Sequence, residues 1–264
     1  MTKDLAFAFM ERPHCRVTYR VRPARSGRWI VFLHGAGMDG SMFDAQLAQV
    51  PDEYGILCWD ARGHGTSVLV GAFRYDDMLD DLRALLVEVG ARRLTVVGQS
   101  MGGNLAQSYL DAYPGEVERL VLIDCTANHG ALSFVEKYAL RSTRAVLRMY
   151  PWRLTVSQSA DACGATNETK AYAERQLRSM GRDRFIEVMD FWQLALRPDP
   201  DYRFPVEVSA IVGELDRTGN IRRAMHRLAA TDPRVTLTTL AGAAHNSNMD
   251  RPAEVNQVIF GSLP

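Results

Sequence analysis

Three side chains scattered along the chain, Ser100, Asp216 and His245, could together carry out acyl transfer. Ser100 lies in Gly98-Gln99-Ser100-Met101-Gly102, a serine with a glycine two residues to either side. This is the nucleophile-elbow pattern, a strand-to-helix turn too sharp for side chains at the flanking positions, with the hydroxyl lifted above the sheet at its tip. A helix starting there also offers free backbone amides to an oxyanion. A serine hydroxyl is a weak nucleophile at neutral pH. It needs a base to take its proton and a third group to hold that base in the right tautomer.

Of six histidines, His245 fits the base best: it follows the strand Val235 to Leu240 through AGAA, precedes a final helix, and comes last in the order Ser, acid, His. His34 and His64 sit in glycine-flanked loops before Ser100 and read as braces for those turns. His14 precedes the second strand, His226 lies on an arginine-rich helix, and His129 opens the middle segment. For the acid, Asp216 follows the strand VEVSAIV through Gly213, Glu214 and Leu215. Asp124, at the end of VLIDCT, is the rival, with loop capping as its alternative role. Asp216 is preferred because it and His245 then flank one crossover, while Glu214 is expected to point toward solvent.

These residues need a frame whose strand ends meet on one side. Trp29 to Leu33, Tyr54 to Trp59 and Leu94 to Val97 are largely apolar stretches that read as buried strands, and Val117 to Ile123 (VERLVLI) reads as another, after an initial strand pair within Leu5 to Pro23. Helical patterns start at Ser41, span Arg74 to Gly90, and follow the elbow over Asn104 to Tyr113. The rhythm resumes with the strand Val206 to Val212, the helix Ile221 to Ala230, the strand Val235 to Leu240 and the helix Pro252 to Phe260. Strands alternating with helices predict an α/β fold with a mostly parallel central sheet, its chemistry at the strands' C-terminal ends. From His129 to about Phe204 only helical stretches occur: Leu132 to Met149, Thr169 to Met180 and Arg182 to Leu196. This predicts a core of residues 1–128 and 206–264 with an all-helical insertion at 129–205.

Composition narrows the function classes. The 264 residues carry 31 basic and 31 acidic side chains, so net charge gives no reason to expect nucleic acid or an anionic membrane as partner. The arginines between Arg141 and Arg153 read as a solvated helix face. The first residues lack a signal-peptide core, no run is long enough to cross a bilayer, and the four cysteines form no C-x-x-C pair. The expectation is a cytoplasmic protein with reduced thiols, acting on a small molecule as a monomer or homodimer.

Taken in order, the HGAG loop at His34 to Gly37, DARGHGTS at Asp60 to Ser67, the GQSMGG elbow, GELD at Gly213 to Asp216 and the His245 loop resemble the α/β-hydrolase fold family over nearly the whole chain. The resemblance implies an oxyanion hole from the backbone amides of Met101, after the nucleophile, and Ala36, after His-Gly. It also implies a helical cap between the family's sixth and seventh strands, which matches His129 to Phe204. One departure is Ala244 before the histidine, where the family commonly has glycine. Serine rather than aspartate at the elbow argues against the members with a carboxylate nucleophile. The function expected is hydrolysis of an ester, lactone or thioester of a small apolar substrate, with no cofactor and no metal. Gly35 and the insertion aromatics Phe134, Tyr138, Trp152, Phe191 and Trp192, with Phe185, are candidates to line the site. The alternatives are carbon–carbon bond hydrolysis of ring-fission products, haloperoxidase-like chemistry, and a receptor or cyclase that does not hydrolyse.

Overall fold

The computed structural model describes residues 5–261 and 263. Its strands are β1 (Ala6–Arg12), β2 (Cys15–Arg22), β3 (Trp29–Leu33), β4 (Gly55–Trp59), β5 (Val68–Leu69), β6 (Leu94–Gln99), β7 (Val117–Ile123), β8 (Glu207–Gly213) and β9 (Val235–Leu240). The sheet order is β1-β2-β4-β3-β6-β7-β8-β9, parallel from β4 to β9, with β1, β2 and β4 antiparallel neighbours and β5 against β2. The chain runs from β3 outward to β4 and then returns to β6 on the other side of β3. The sheet therefore reverses its winding between β3 and β6, where open α/β sheets form their ligand crevice.

Alternation along the buried strands feeds two cores. Trp29, Val31 and Leu33 of β3 pack on one face, Ile30 and Phe32 on the other. The first face is covered by α2 (Tyr75–Glu88), α3 (Met101–Ala112) and α8 (Ile221–Thr231) through Met78, Leu82, Leu105, Tyr109 and Met225. The second is covered by α1 (Asp44–Leu47) and α10 (Pro252–Phe260) through Leu47, Val255 and Ile259. The helix expected from Ser41 is shorter than its pattern: a 3-10 turn over Gly40–Phe43, then one turn of α1. A short α9 (Ser247–Asp250) precedes α10.

Between β7 and β8 lie four helices, α4 (Phe134–Met149), α5 (Trp152–Cys163), α6 (Asn167–Met180) and α7 (Arg182–Phe191), then a 3-10 turn at Trp192–Ala195. α5 has no counterpart in the sequence expectation, because its buried positions, Thr155, Val156 and Ala160, are small or polar and give little apolar periodicity. α4 begins at a capping box: Glu136 donates its amide to the Ser133 hydroxyl, and the Glu136 carboxylate accepts from the Ser133 amide. Among the described residues, no helix is long and apolar enough to cross a membrane.

Candidate active site

β6 ends at Gln99 and α3 starts at Met101, so Ser100 alone reverses the chain. It does so at φ 50°, ψ −119°, a strained conformation for a non-glycine residue. The flanking glycines are what allow the turn to close. A β-carbon at Gly98 would fall 2.4 Å from the Gly102 carbonyl oxygen, and one at Gly102 would fall 2.0 Å from that of Leu33. The Ser100 amide donates to Ile123 of β7 at 2.9 Å, and its carbonyl accepts from Gly103 and Asn104 as the cap of α3. Backbone bonds on both sides thus fix the serine.

His245 and Asp216 lie on the loops after β9 and β8, which pair out to Gly213 and Leu240. The ladder continues beyond the strands, as Glu214 donates to Leu240 at 2.9 Å and Leu215 to Ala243 at 2.8 Å. His245 Nδ1 is 3.0 Å from Asp216 Oδ2, and its Nε2 is 3.0 Å from Ser100 Oγ. A carboxylate only accepts, so Nδ1 carries the proton and Nε2 is left to accept from the serine hydroxyl. The second Asp216 oxygen accepts from the Thr218 amide at 2.7 Å. Burial works against an imidazolium here, but the hydrogen bond and charge of Asp216, with Asp124 adding to them, hold His245 above its ordinary pKa.

Asp124 does not bond the imidazole. One of its oxygens accepts from the Gly213 amide at 2.8 Å and the other from the Ser247 amide at 3.1 Å. It ties the end of β8 to the segment after His245. Burial pushes its carboxyl up to about 7. Glu214 is exposed and accepts from the Gly242 amide.

Parallel pairing of β3 with β6, Leu33 opposite Gly98, brings the HGAG loop beside the serine. A β-carbon on Gly35 would lie 3.2 Å from Ser100 Cβ. Ala36 follows it, half-buried, and Met101 supplies the first amide of α3. The His34 ring braces this loop: Nδ1 donates to Gly35 O at 2.8 Å and Nε2 accepts from the Ala61 amide at 2.9 Å. Burial lowers the His34 pKa, and it drives that of His64, whose ring lies 5.0 Å away at a tilt of 51°, to about 3, so both rings are neutral.

The profile described as the alpha/beta hydrolase family matches residues 30–258. The chain belongs to this family. A 3-oxoadipate enol-lactonase of Acinetobacter baylyi is 32% identical over 102 residues, 38% of each chain. A non-heme chloroperoxidase of Kitasatospora aureofaciens is 36% identical over 100 residues, 37% of this chain and 36% of that relative. The matches therefore span less than half the length of these curated relatives. A bromoperoxidase from Bacillus anthracis superimposes with a TM-score of 0.80 at 16% identity, covering 97% of this chain and 98% of that one. A thermophilic esterase from Thermogutta terrifontis gives 0.71 at 22% identity, covering 98% and 97%. At such identities the likeness is one of fold.

For this alpha/beta hydrolase the insertion aromatics divide into three groups. Phe185 and Leu177 lie directly over the Gly37 backbone, and Trp152 packs on Phe185 with ring centroids 5.8 Å apart, so these side chains stand above the HGAG loop. Phe191 packs on Phe73, and Trp192 against the same core. Phe134 and Tyr138, the other two candidates to line the site, are 86% and 70% exposed on α4, which buries none of its residues. A separate groove runs between the 126–132 loop, the 199–204 return and α8, lined by Leu132, Tyr202, Phe204 and Leu228; neither Ser100, Asp216 nor His245 lines it. His129 does not face the serine, since its ring stacks on Tyr202 and bonds Asp111.

Two supporting residues escape the sequence reading. Gln99 donates from Nε2 to the His245 carbonyl at 2.8 Å. Asp250 accepts from the amides of Ala244, Ala165 and Thr166, joining the histidine loop to the α5–α6 junction. Gln99 lies inside the elbow motif, whereas nothing in the residues around Asp250 marks it.

Proposed function

We propose that the chain is a serine hydrolase that cleaves an ester, lactone or thioester of a small apolar substrate, with Ser100 as nucleophile, His245 as general base and acid, and Asp216 as the orienting carboxylate. The observation that carries this reading is the unbroken chain from Ser100 Oγ to His245 Nε2 and from His245 Nδ1 to Asp216 Oδ2, both links 3.0 Å, at the strained cap of α3. His245 takes the hydroxyl proton as Oγ attacks the carbonyl carbon. The carbonyl oxygen, now an oxyanion, is received by the amides of Ala36 and Met101. His245 then hands the proton to the leaving oxygen or sulfur, and the acyl group stays on Ser100. Water, deprotonated by the same imidazole, releases the acid and restores the serine.

Residues 129–205 act in this reading as a cap over the core formed by 1–128 and 206–264. Leu177, Phe185 and Trp152 supply the apolar cover above the HGAG loop, which supports an apolar acyl or alcohol portion. All four cysteines are free, in keeping with a cytoplasmic setting. The test is labelling with a fluorophosphonate probe alongside a panel of p-nitrophenyl esters, lactones and a vinylogous diketone. Wild type should label and turn over esters or lactones, and Ser100→Ala should do neither. Folded wild type that resists labelling would end the proposal, and turnover of the diketone alone would move it to carbon–carbon cleavage.

A further inference from the structure

α4 presents an apolar face that nothing in the described chain covers. Phe134, Val135, Tyr138, Val146 and Met149 are 56–87% exposed, and Ala139 and Ala145 are exposed with them. At 100° per residue all seven fall within one sector of about 140°. The opposite side, with Leu140, Thr143 and Leu147, is the one turned toward the rest of the protein. The stripe thus extends over the length of the helix, about 24 Å, interrupted midway by Ser142, whose hydroxyl is tied back to the Tyr138 and Ala139 carbonyls.

One border of that stripe is cationic. Lys137, Arg141, Arg144 and Arg148 recur at helical spacing along it, and all four are exposed. Between Phe134 and Arg153 there are five basic residues and one acid, Glu136, which is turned away to Asn220 and Arg223. Arg144 reaches Asp190 at 3.1 Å, while Lys137, Arg141 and Arg148 have no acidic partner among the described residues. The chain's balanced net charge conceals this local arrangement.

We propose that the exposed face of α4 docks on an anionic lipid surface, lying in the plane of the interface with Phe134, Val135, Tyr138, Val146 and Met149 among the acyl chains and the basic row against the headgroups. An occupant must be apolar over the stripe and negatively charged beside it. An anionic bilayer is both, which is the recognition pattern of interfacial amphipathic helices. A nucleic acid would meet the cations and leave the apolar stripe in water. A second copy paired through the same face would bring two basic rows together with no acid on either face to offset them. Docking here sets the insertion, and with it the cover above the HGAG loop, at the membrane surface. The proposal concerns binding alone and does not depend on catalysis.

The experiment is co-sedimentation of the full chain with vesicles of phosphatidylcholine alone and of phosphatidylcholine mixed with phosphatidylglycerol, repeated with Ser100→Ala. Both proteins should sediment with the mixed vesicles and be released by raised salt. Reversing two charges in Arg141→Glu with Arg148→Glu should weaken binding at least tenfold, and Val135→Asp with Met149→Asp should abolish it. Circular dichroism spectra of these surface variants should match wild type, which separates lost docking from lost folding. Equal binding to neutral vesicles, no binding to either kind, or charge-reversal variants that bind like wild type would each overturn the proposal. So would a concentration-dependent dimer in light scattering that the Val135 and Met149 variants dissolve, because the stripe would then belong to a second copy. Ser100→Ala that sediments normally but fails the probe test leaves the two proposals separately judged.

Discussion

The side-chain amide of Gln99 and the main-chain carbonyl of His245 are 2.8 Å apart, so the residue before the candidate nucleophile holds the loop that carries the candidate base. Both partners are buried. Backbone pairing brings β3, β6 and β7 into register at the serine, but β9 is three strands from β6 in the sheet. The Gln99 bond is a direct strut across that gap.

Gln99→Leu keeps much of the side-chain volume but leaves the His245 carbonyl without this donor. An unsatisfied buried acceptor costs about 2 kcal/mol, a fall of roughly 4–8 °C in melting temperature for a chain of this size. With the imidazole less well aimed, kcat for a soluble ester should drop by about tenfold while KM changes little. Gln99→Glu should be worse than Gln99→Leu, because a carboxylate can only accept and would face a carbonyl. Wild-type kcat in both variants would remove Gln99 from the site's support.

With His245 as the proposed base, activity should follow its neutral form, since only a free Nε2 could take the serine proton. Asp216 and Asp124 raise the folded pKa despite burial, so the rising limb of kcat/KM should have its midpoint above the ordinary histidine value of about 6.5. The stability side has the opposite sense. A group whose folded pKa is raised contributes stability that is full below about 6.5 and is lost as pH climbs through the folded value. Melting temperature against pH should therefore lose this contribution over the interval in which activity rises, and His245→Gln should flatten both curves. A midpoint below 6.5 would contradict the electrostatic reading.

The two carboxylates near the histidine should separate cleanly. Asp216→Asn puts an amide where the imidazole N–H must donate, and the resulting wrong tautomer should lower kcat by about 10⁴. Asp124 touches only the amides of Gly213 and Ser247, so Asp124→Asn should cost far less activity, about tenfold or below, and appear mainly as a lower melting temperature. The reverse ranking would make Asp124 the orienting acid.

Most of the frame is legible because β3 and β4 are continuous apolar runs, the other central strands are rich in Val, Leu and Ile, and each site residue follows a strand by a few positions. Ser100 is further marked by its two glycines, and its backbone geometry shows why: a β-carbon at either glycine would strike main-chain atoms. β5 is only two residues long and α5 buries small side chains, so neither carries a pattern strong enough to see. The supporting contacts are hidden for another reason. Gln99 to His245 spans 146 positions and Asp250 to Ala165 spans 85, and single polar residues carry no periodicity that could announce a partner so distant. The exposure of Phe134 and Tyr138 is equally hidden, because an amphipathic helix reveals its apolar face in sequence but not whether protein covers it.

Asp250 offers the sharpest test of how the insertion is held to the base. Its carboxylate accepts from Ala165 at 2.8 Å and Thr166 at 3.1 Å, between α5 and α6, and from Ala244 at 2.9 Å, next to His245. Asp250→Ala strands these amides and should destabilise the fold by about 3 kcal/mol, since unsatisfied buried donors cost roughly 1–3 kcal/mol apiece and water reaches some of them. The bond from the Asn246 amide to the Cys163 carbonyl at 2.7 Å remains, so the insertion should stay attached but loosen at the α5–α6 junction. Limited proteolysis should then cut within 163–169 sooner than in wild type, and kcat/KM should fall through both parameters as cover and base shift together. Asp250→Asn keeps one accepting oxygen and should land between the two. If Asp250→Ala were cut at wild-type rate while losing stability, the carboxylate would be anchoring the histidine loop alone.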